Sequence, residues 1–120
     1  MSTKVRPTNC CDVPVEPPSL AAETRTLAVD VFKALADPTR FEIFRFVAAQ
    51  REPICACDVV DRFQVSQPTI SHHMKVLRDA GLISVSRRGV WAYYAVDQRG
   101  LALVQTVLDS LQKEDALAIA

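Results

Sequence analysis

The chain has 120 residues, and its 14 lysines and arginines are balanced by 14 aspartates and glutamates, so net charge alone favours neither a nucleic-acid nor a membrane partner. This length predicts one small domain with a tail, and 49% hydrophobic with 23% charged residues is typical of a folded protein. No apolar run is long enough to cross a bilayer, and "MSTKVRPTNCCD" lacks the apolar stretch of a signal peptide. We therefore predict a cytoplasmic protein without membrane association, whose thiols stay reduced.

Residues 1–18 are predicted to form a flexible N-terminal arm ahead of one domain over residues 19–115. The arm is rich in proline and shows no helical period of apolar residues. It carries two adjacent cysteines, Cys10 and Cys11, and the only other cysteines of the chain are Cys55 and Cys57. In a reducing compartment, such pairs favour metal ligands or reactive thiols over structural disulfides.

Two helices are predicted at the start of the domain. Ser19 can cap the first, and Asp37-Pro38 ends it and begins the second, with Asp37 as N-cap and Pro38 in the first turn. In the first helix, the apolar residues at helical spacing are Leu20, Leu27, Val31, Ala34 and Leu35. In the second, the residues expected to be buried are Phe41, Phe44 and Val47.

A helix-turn-helix is predicted next. After the turn "REP", the segment "ICACDVVDRF" reads as a short helix with Cys55 and Cys57 at its N-terminal end. Ser66 can cap a second helix whose first turn tolerates Pro68, and Gly81 can end it. Two short helices joined by a few residues are the arrangement of many DNA-binding proteins.

A β-hairpin and a last helix complete the predicted fold. In "LISVSRRGVWAYYAV", β-branched and aromatic residues flank Arg88-Gly89, which predicts a hairpin with cationic residues at its tip. In "LALVQTVLDSL", apolar residues lie both on one helical stripe and beside it, at Leu103 and Val107. Such a helix needs a further partner, and a second copy of the chain is the simplest. We predict a mostly α, winged helix-turn-helix homodimer with a small β-hairpin.

The helix after Ser66 has the composition of a DNA-reading helix. Ile70, Met74 and Leu77 share one face, which is expected to pack inward. The donor-bearing side chains on its other faces are Gln67, Ser71, His72, Lys75 and Arg78. Each of these alone is equally typical of a solvated surface, but the cationic hairpin that follows favours double-stranded DNA. Arg87 and Arg88 would then contact the DNA backbone or minor groove.

Four motifs make the chain recognisable. "FKALADPTRFEIF", "CACDVV", "SQPTISHHMKVLRDAGLI" and "WAYYAV" occur in an order that resembles the ArsR/SmtB family of metal-responsive repressors, over about residues 27–108. The resemblance implies a homodimeric winged helix that represses transcription until a soft metal binds. By position in the recognition helix, it assigns DNA contacts to Gln67, Thr69, Ser71, His72 and Lys75.

The spacing of the cysteines limits how they can bind one ion. Residues at i and i+2 do not share a helix face, but Cys55 can lie outside the helical path if it precedes the first turn, so that its sulfur and that of Cys57 converge. Cys10 and Cys11 can meet one ion only if the arm turns. The alternative for Cys55 and Cys57 is that they are small apolar filler of the core.

The resemblance implies that Cys10 and Cys11 of one subunit join Cys55 and Cys57 of the other. Thiolates select soft ions: three sulfurs suit As(III) or Sb(III), and four suit Cd(II), Pb(II) or Zn(II). Similarity to the arsenic-sensing branch favours As(III) as the inducer. Members of the resembled family that have a second metal site place histidine and carboxylates on the last helix. The last helix of this chain has acidic residues but no histidine, so no such zinc site is expected.

Two other functions remain open from the sequence: a thiol redox-sensing repressor and a structural zinc module, although the latter usually pairs its cysteines as Cys-x-x-Cys. A thiol redox-sensing repressor would use the same fold with disulfides in place of a metal. An enzyme is not expected, because "CAC" is not the Cys-x-x-Cys of a thiol oxidoreductase and no nucleophile with a base partner stands out.

Overall fold

The structure is a computed structural model that describes residues 19–112. The predicted arm with Cys10 and Cys11, and the last residues of the predicted domain, lie outside that range. In chain order the elements are α1 (Ala22–Leu35), α2 (Pro38–Ala48), β1 (Ile54–Cys55), α3 (Ala56–Phe63), α4 (Gln67–Asp79), β2 (Ile83–Arg88), β3 (Trp91–Val96) and α5 (Gln98–Leu111). The mostly α architecture with a β-hairpin after the helix-turn-helix confirms the predicted fold class.

The core is built around α4 and the strand that follows it. Its largest fully buried side chains are Ile43, Ile70, Met74, Leu77, Leu82, Ile83, Val31 and Val59. The three inward residues predicted for α4 are therefore confirmed. Burying a side chain of this size stabilises the fold by about 1.5–3 kcal/mol relative to leaving it in water. The opposite face of α4 is left free to carry polar groups.

Two details of α1 and α2 were predicted wrongly. Helix α1 begins at Ala22 and its N-cap, Ala21, makes no side-chain hydrogen bond. Ser19 lies too far ahead of the first turn to cap it. On α2, Phe41 is 43% exposed and the buried residues are Ile43, Phe44 and Val47. The helix is rotated from the predicted orientation because its contacts with α1, α4 and β3 bury Ile43.

Local signals in the sequence account for the ends of α2 and α4. The Asp37 carboxylate accepts a hydrogen bond of 2.9 Å from the backbone N–H of Arg40. The Ser66 hydroxyl accepts one of 3.3 Å from Thr69 N–H. Gly81, two residues beyond α4, has a φ of +78°, which a residue with a side chain rarely adopts. All three predicted helix signals are confirmed.

The sheet differs from the predicted hairpin in two respects. It has three antiparallel strands in the order β1-β3-β2, because Ile54 and Cys55 pair with Tyr94 and Tyr93. A two-residue strand is too short to show a period in the sequence. The second difference is the tip, which is the turn Gly89-Val90, since Arg88 pairs with Trp91 as the last residue of β2. The φ of +65° at Gly89 fits a tight hairpin turn.

Helix α5 packs against α1 and is joined to the end of α4. The N–H of Gly100 donates a hydrogen bond of 2.8 Å to the carbonyl of Gly81. The packed pair still exposes apolar side chains, namely Leu27, Val29, Phe32, Leu108 and Leu111. Within residues 19–112, no helix is long and apolar enough to cross a membrane.

Candidate DNA-reading surface and thiol pair

The polar face of α4 is open to solvent. The exposed side chains predicted to contact DNA are Gln67, Thr69, Ser71, His72 and Lys75. Thr69 contributes to the cap, since its hydroxyl accepts a hydrogen bond of 2.9 Å from the Ser66 hydroxyl. These side chains lie opposite the buried residues of the helix, so α4 can present them to a partner without losing its packing.

Lys75 is paired within its own helix. Its ammonium lies 2.8 Å from the Asp79 carboxylate, and this hydrogen bond lowers the pKa of Asp79. Both side chains are more than half exposed, so solvent screens the pair and a DNA phosphate could replace Asp79 at little cost. Lys75 is therefore suited to a phosphate contact that positions the helix.

His73 has a structural contact that the sequence did not reveal. Its Nδ1 accepts a hydrogen bond of 3.2 Å from the guanidinium of Arg40, which also donates 2.6 Å to the carbonyl of Ala34. Because a guanidinium only donates, Nδ1 must be unprotonated. Burial lowers the pKa of His73, with further lowering from Arg40 and partial opposition from Asp37. A neutral His73 therefore holds α4 against α1 and α2, while its neighbour His72 stays exposed.

Arg87 and Arg88 lie in the hairpin of β2 and β3, which is the wing of the fold, and their side chains point to opposite faces of it. Both side chains are exposed. The Arg88 guanidinium lies 4.3 Å from the centroid of the Tyr93 ring. Arg87 instead lines a cavity together with Gln67 and Ser71 of α4. Arg87 is thus the arginine that shares a surface with the start of the recognition helix.

Cys55 is the N-cap of α3 and lies outside its helical path, with φ −71° and ψ 144°. Its Sγ accepts a hydrogen bond of 3.2 Å from the backbone N–H of Cys57, and the two Cα atoms are 5.1 Å apart. The sulfurs converge as the spacing predicts. The structure joins them as a disulfide, whereas the sequence predicts reduced thiols. The N-cap position explains the contact, because it turns the first sulfur back over the first turn.

The thiol pair and the start of α4 border one cavity. Cys55 and Cys57 line it from one side, and Gln67, Ser71 and Arg87 from others. Within the part of the chain that the structure describes, no three His, Cys, Asp or Glu side chains form a group that could hold a metal ion. A third or fourth protein sulfur would have to come from Cys10 or Cys11, outside residues 19–112.

Comparison with known proteins places this geometry in context. Residues 37–85 match the sequence profile of the family described as "Bacterial regulatory protein, arsR family". The chain is 38% identical over 81 residues to the uncharacterized HTH-type transcriptional regulator MJ1325 of Methanocaldococcus jannaschii, covering 67% of this chain and 90% of that protein. It is 36% identical over 85 residues to an arsenical resistance operon repressor of Staphylococcus xylosus, covering 71% and 80%.

Among solved structures, the fold matches a homodimeric winged helix-turn-helix DNA-binding domain from Mycobacterium bovis, Mb0332, described as a possible ArsR-family transcriptional regulator. The TM-score is 0.60 at 26% sequence identity, with 77% of this chain and 87% of that chain covered. The match shows that the winged helix-turn-helix of this chain is a recurring fold.

Proposed function

The chain belongs to the arsR family of bacterial regulatory proteins, transcriptional repressors with a winged helix-turn-helix, and on that premise we propose that it is an arsenic-responsive repressor. It binds operator double-stranded DNA as a homodimer. Binding of As(III) or Sb(III) to its cysteine thiolates releases the DNA. Its relatives include arsenical resistance operon repressors, which supports the choice of ion.

One observation carries the proposal: the sulfurs of Cys55 and Cys57 converge in the cavity that Gln67 and Ser71 also line. A ligand held by these sulfurs lies next to the helix predicted to read DNA. The alternative of core filler fits Cys55, which is buried, but not Cys57, which is exposed. The pair lies at the first turn of α3, and α3 packs against α4.

The donor set fits a soft ion. Thiolates bind As(III), Sb(III), Cd(II), Pb(II) and Zn(II) well, and the reduced pair supplies two sulfurs from one chain. We assign the remaining ligands to Cys10 and Cys11, as the family resemblance implies. Three sulfurs in all favour As(III) or Sb(III), and four would favour Cd(II), Pb(II) or Zn(II), which remain the alternative inducers.

The DNA contacts divide between α4 and the wing. Gln67, Ser71 and His72 supply amide, hydroxyl and imidazole groups for base edges, while Lys75 and the wing arginines supply charge for phosphates. The exposed apolar side chains of α1 and α5 supply the dimer contact, which sets the distance between the two α4 helices. Ligand binding at the thiols and DNA binding favour different relative positions of the two α4 helices in the dimer.

The coupling between the two ligands is reciprocal. If the thiol ligand weakens DNA binding by some factor, DNA weakens binding of the thiol ligand by the same factor. A coupling of about 1–3 kcal/mol lowers operator affinity roughly 5- to 150-fold. That is enough to switch a promoter that is about half saturated.

Single cysteine substitutions test the proposal. Cys55→Ser and Cys57→Ser should each bind operator DNA like the unmodified protein but no longer release it on adding arsenite, because one sulfur of the pair is missing. Ala56→Ser is the matched control, since it adds a hydroxyl between the cysteines and removes no thiol. The measurement is DNA binding by fluorescence anisotropy at fixed salt, with the protein kept reduced. Normal release by both cysteine variants would disprove the proposal.

A redox-sensing repressor is the second candidate, favoured by the disulfide between Cys55 and Cys57. In that case a thiol oxidant alone should release DNA, and a dithiol reductant should restore binding. Intact-mass measurement, with and without reductant, would show loss of two hydrogens per chain on release. The arsenical and redox functions are separated by adding arsenite under reducing conditions, where only the first releases DNA.

A further inference from the structure

The cavity beside Cys55 and Cys57 has an apolar wall as well as polar rims. Its volume is about 360 Å³, and Val60, Trp91 and Tyr94 line it next to the two sulfurs. Val60 and Tyr94 are half-buried, and Trp91 is 55% exposed at the mouth. An apolar cavity of about 150 Å³ already accommodates benzene. The space is therefore larger than a bare ion needs, and one part of its lining is apolar.

The cysteine pair by itself is suited to a ligand that needs two sulfurs. Trivalent arsenic forms three bonds, and two thiolates account for two of them. Inorganic arsenite held by two thiolates keeps one hydroxide, and within residues 19–112 no third protein ligand joins the pair to replace it. An arsenical that already carries one carbon substituent needs none. Its substituent requires an apolar space beside the sulfurs, which is what Val60, Trp91 and Tyr94 border.

We propose that this cavity is a pocket for the organic substituent of a monosubstituted trivalent arsenical, R–As(OH)₂, with R a methyl or phenyl group. The inference deepens the proposed thiolate sensing and rests on it. In the dithiol form of Cys55 and Cys57, both S–H bonds and both As–OH bonds break. Two As–S bonds form and two water molecules leave. The arsenic stays trivalent and keeps R, so no oxidant or reductant takes part in the step.

The pocket also places R beside the DNA-reading surface. Gln67, Ser71 and Arg87 border the same cavity as the apolar wall. A substituent bound there contacts or displaces side chains from both α4 and the wing. Release of DNA by such an arsenical therefore needs only the two cysteines of one chain, with no contribution from Cys10 or Cys11.

The test compares phenylarsonous acid, methylarsonous acid and arsenite on the full chain reduced with a phosphine. Trp91 is the only tryptophan, so its fluorescence reports occupancy of the pocket. Both organic arsenicals need two sulfurs, so the ratio of their affinities measures the pocket and not the thiol count. Each affinity is measured in competition with dithiothreitol, which corrects the ratio for any difference in As–S bond strength between the two organic arsenicals. We expect phenyl to exceed methyl about tenfold or more, because more apolar surface is buried.

A substitution that fills the cavity can be compared with the same substitution outside it. Ala92 lines the cavity, and Ala95 lies on the opposite face of the same strand. Ala92→Ile should bring the phenyl-to-methyl ratio close to one, while Ala95→Ile should leave it unchanged. Circular dichroism checks the fold of both variants. If Ala92→Ile does not fold, the ratio and the Trp91 signal of the unmodified protein still decide the proposal.

The outcomes separate the pocket from the sensor. In a protein with Cys10→Ser and Cys11→Ser, intact mass should show one phenyl adduct per chain with loss of two waters, and adding Cys55→Ser to that protein should abolish it. Suppose that arsenite releases DNA, that phenylarsonous and methylarsonous acid bind with equal affinity after the dithiothreitol correction, and that Trp91 emission does not change. The pocket proposal is then wrong and the thiolate sensor stands. If no arsenical forms an adduct that depends on Cys55 or Cys57, both are wrong.

Discussion

Arg87 and Arg88 are adjacent in the sequence, but their surroundings differ. Arg88 lies over the Tyr93 ring, a favourable contact between a cation and an aromatic face. Arg87 lies on the other face of the wing, bordering the cavity with Gln67 and Ser71. A DNA duplex that contacts the start of α4 is therefore closer to Arg87. The two arginines are a natural pair for testing how the wing contributes to binding.

We predict that Arg87→Ala weakens operator binding more than Arg88→Ala does. Loss of one phosphate contact should also reduce the slope of log affinity against log salt by about one. Anisotropy titrations over a series of salt concentrations measure both effects. Each variant removes one charge from the same strand, so the other serves as its control. If the two variants lose the same operator affinity, the position of Arg87 beside α4 has no role in DNA binding.

The junction of α4 and α5 depends on two glycines that approach closely. Gly81 ends α4 with a positive φ, and its carbonyl accepts the hydrogen bond from Gly100 in the first turn of α5. A Cβ on Gly100 would lie 2.8 Å from the Gly81 oxygen and 2.9 Å from a methyl carbon of Leu82. The contact with a backbone oxygen cannot be relieved by a side-chain rotation. This junction connects the DNA-reading helix to the proposed dimer helix.

Gly100→Ala is therefore expected to destabilise the protein, although alanine favours helix. Overpacking of this kind costs about 1–3 kcal/mol, against a helix-propensity gain of up to about 1 kcal/mol. Urea unfolding followed by circular dichroism measures the difference. Ala102→Gly, at an exposed position of the same helix, measures the propensity effect alone. A Gly100→Ala protein more stable than the unmodified one would show that the junction can move apart.

The whole molecule exposes apolar side chains on two helices that pack together. Leu27, Val29 and Phe32 of α1 and Leu108 and Leu111 of α5 are all 43–60% exposed. Large apolar side chains exposed on two packed helices are candidates for an interaction surface. A second copy of the chain is the occupant that the sequence predicts, and the homodimeric Mb0332 domain has the same fold. The predicted interface therefore combines helices from both ends of the domain, but the exposed apolar residues of α5 are Leu108 and Leu111, whereas Leu103 packs against the core.

We predict that Leu111→Glu weakens the dimer without unfolding the chain. Leu111 is 60% exposed in the single chain, so the charge stays in water when the protein is monomeric. In a dimer the same charge would be buried without a partner, which is unfavourable. Sedimentation velocity measures the shift, and Ala102→Glu adds the same charge at another exposed position of α5 as control. An unchanged dimer in Leu111→Glu would place the interface elsewhere.

Signals that act within a few residues could be predicted from the sequence alone. The caps at Asp37 and Ser66 and the end of α4 at Gly81 depend on one side chain and the backbone beside it. The inward face of α4 follows from helical spacing, because one side of a helix must be apolar to pack. The convergence of the sulfurs at the start of α3 is also local, since the N-cap lies outside the helix.

Only the tertiary structure decided the features that join distant segments. Strand β1 exists because Ile54 and Cys55 meet β3, and Phe41 is exposed because neighbouring helices selected another face of α2. The cavity lies between α3, α4 and the wing, so it forms only when these three segments pack together. Register, rotation and enclosed space are set by packing between residues far apart in the chain, so short sequence patterns do not determine them. The roles of Cys10 and Cys11 stay predictions from the sequence.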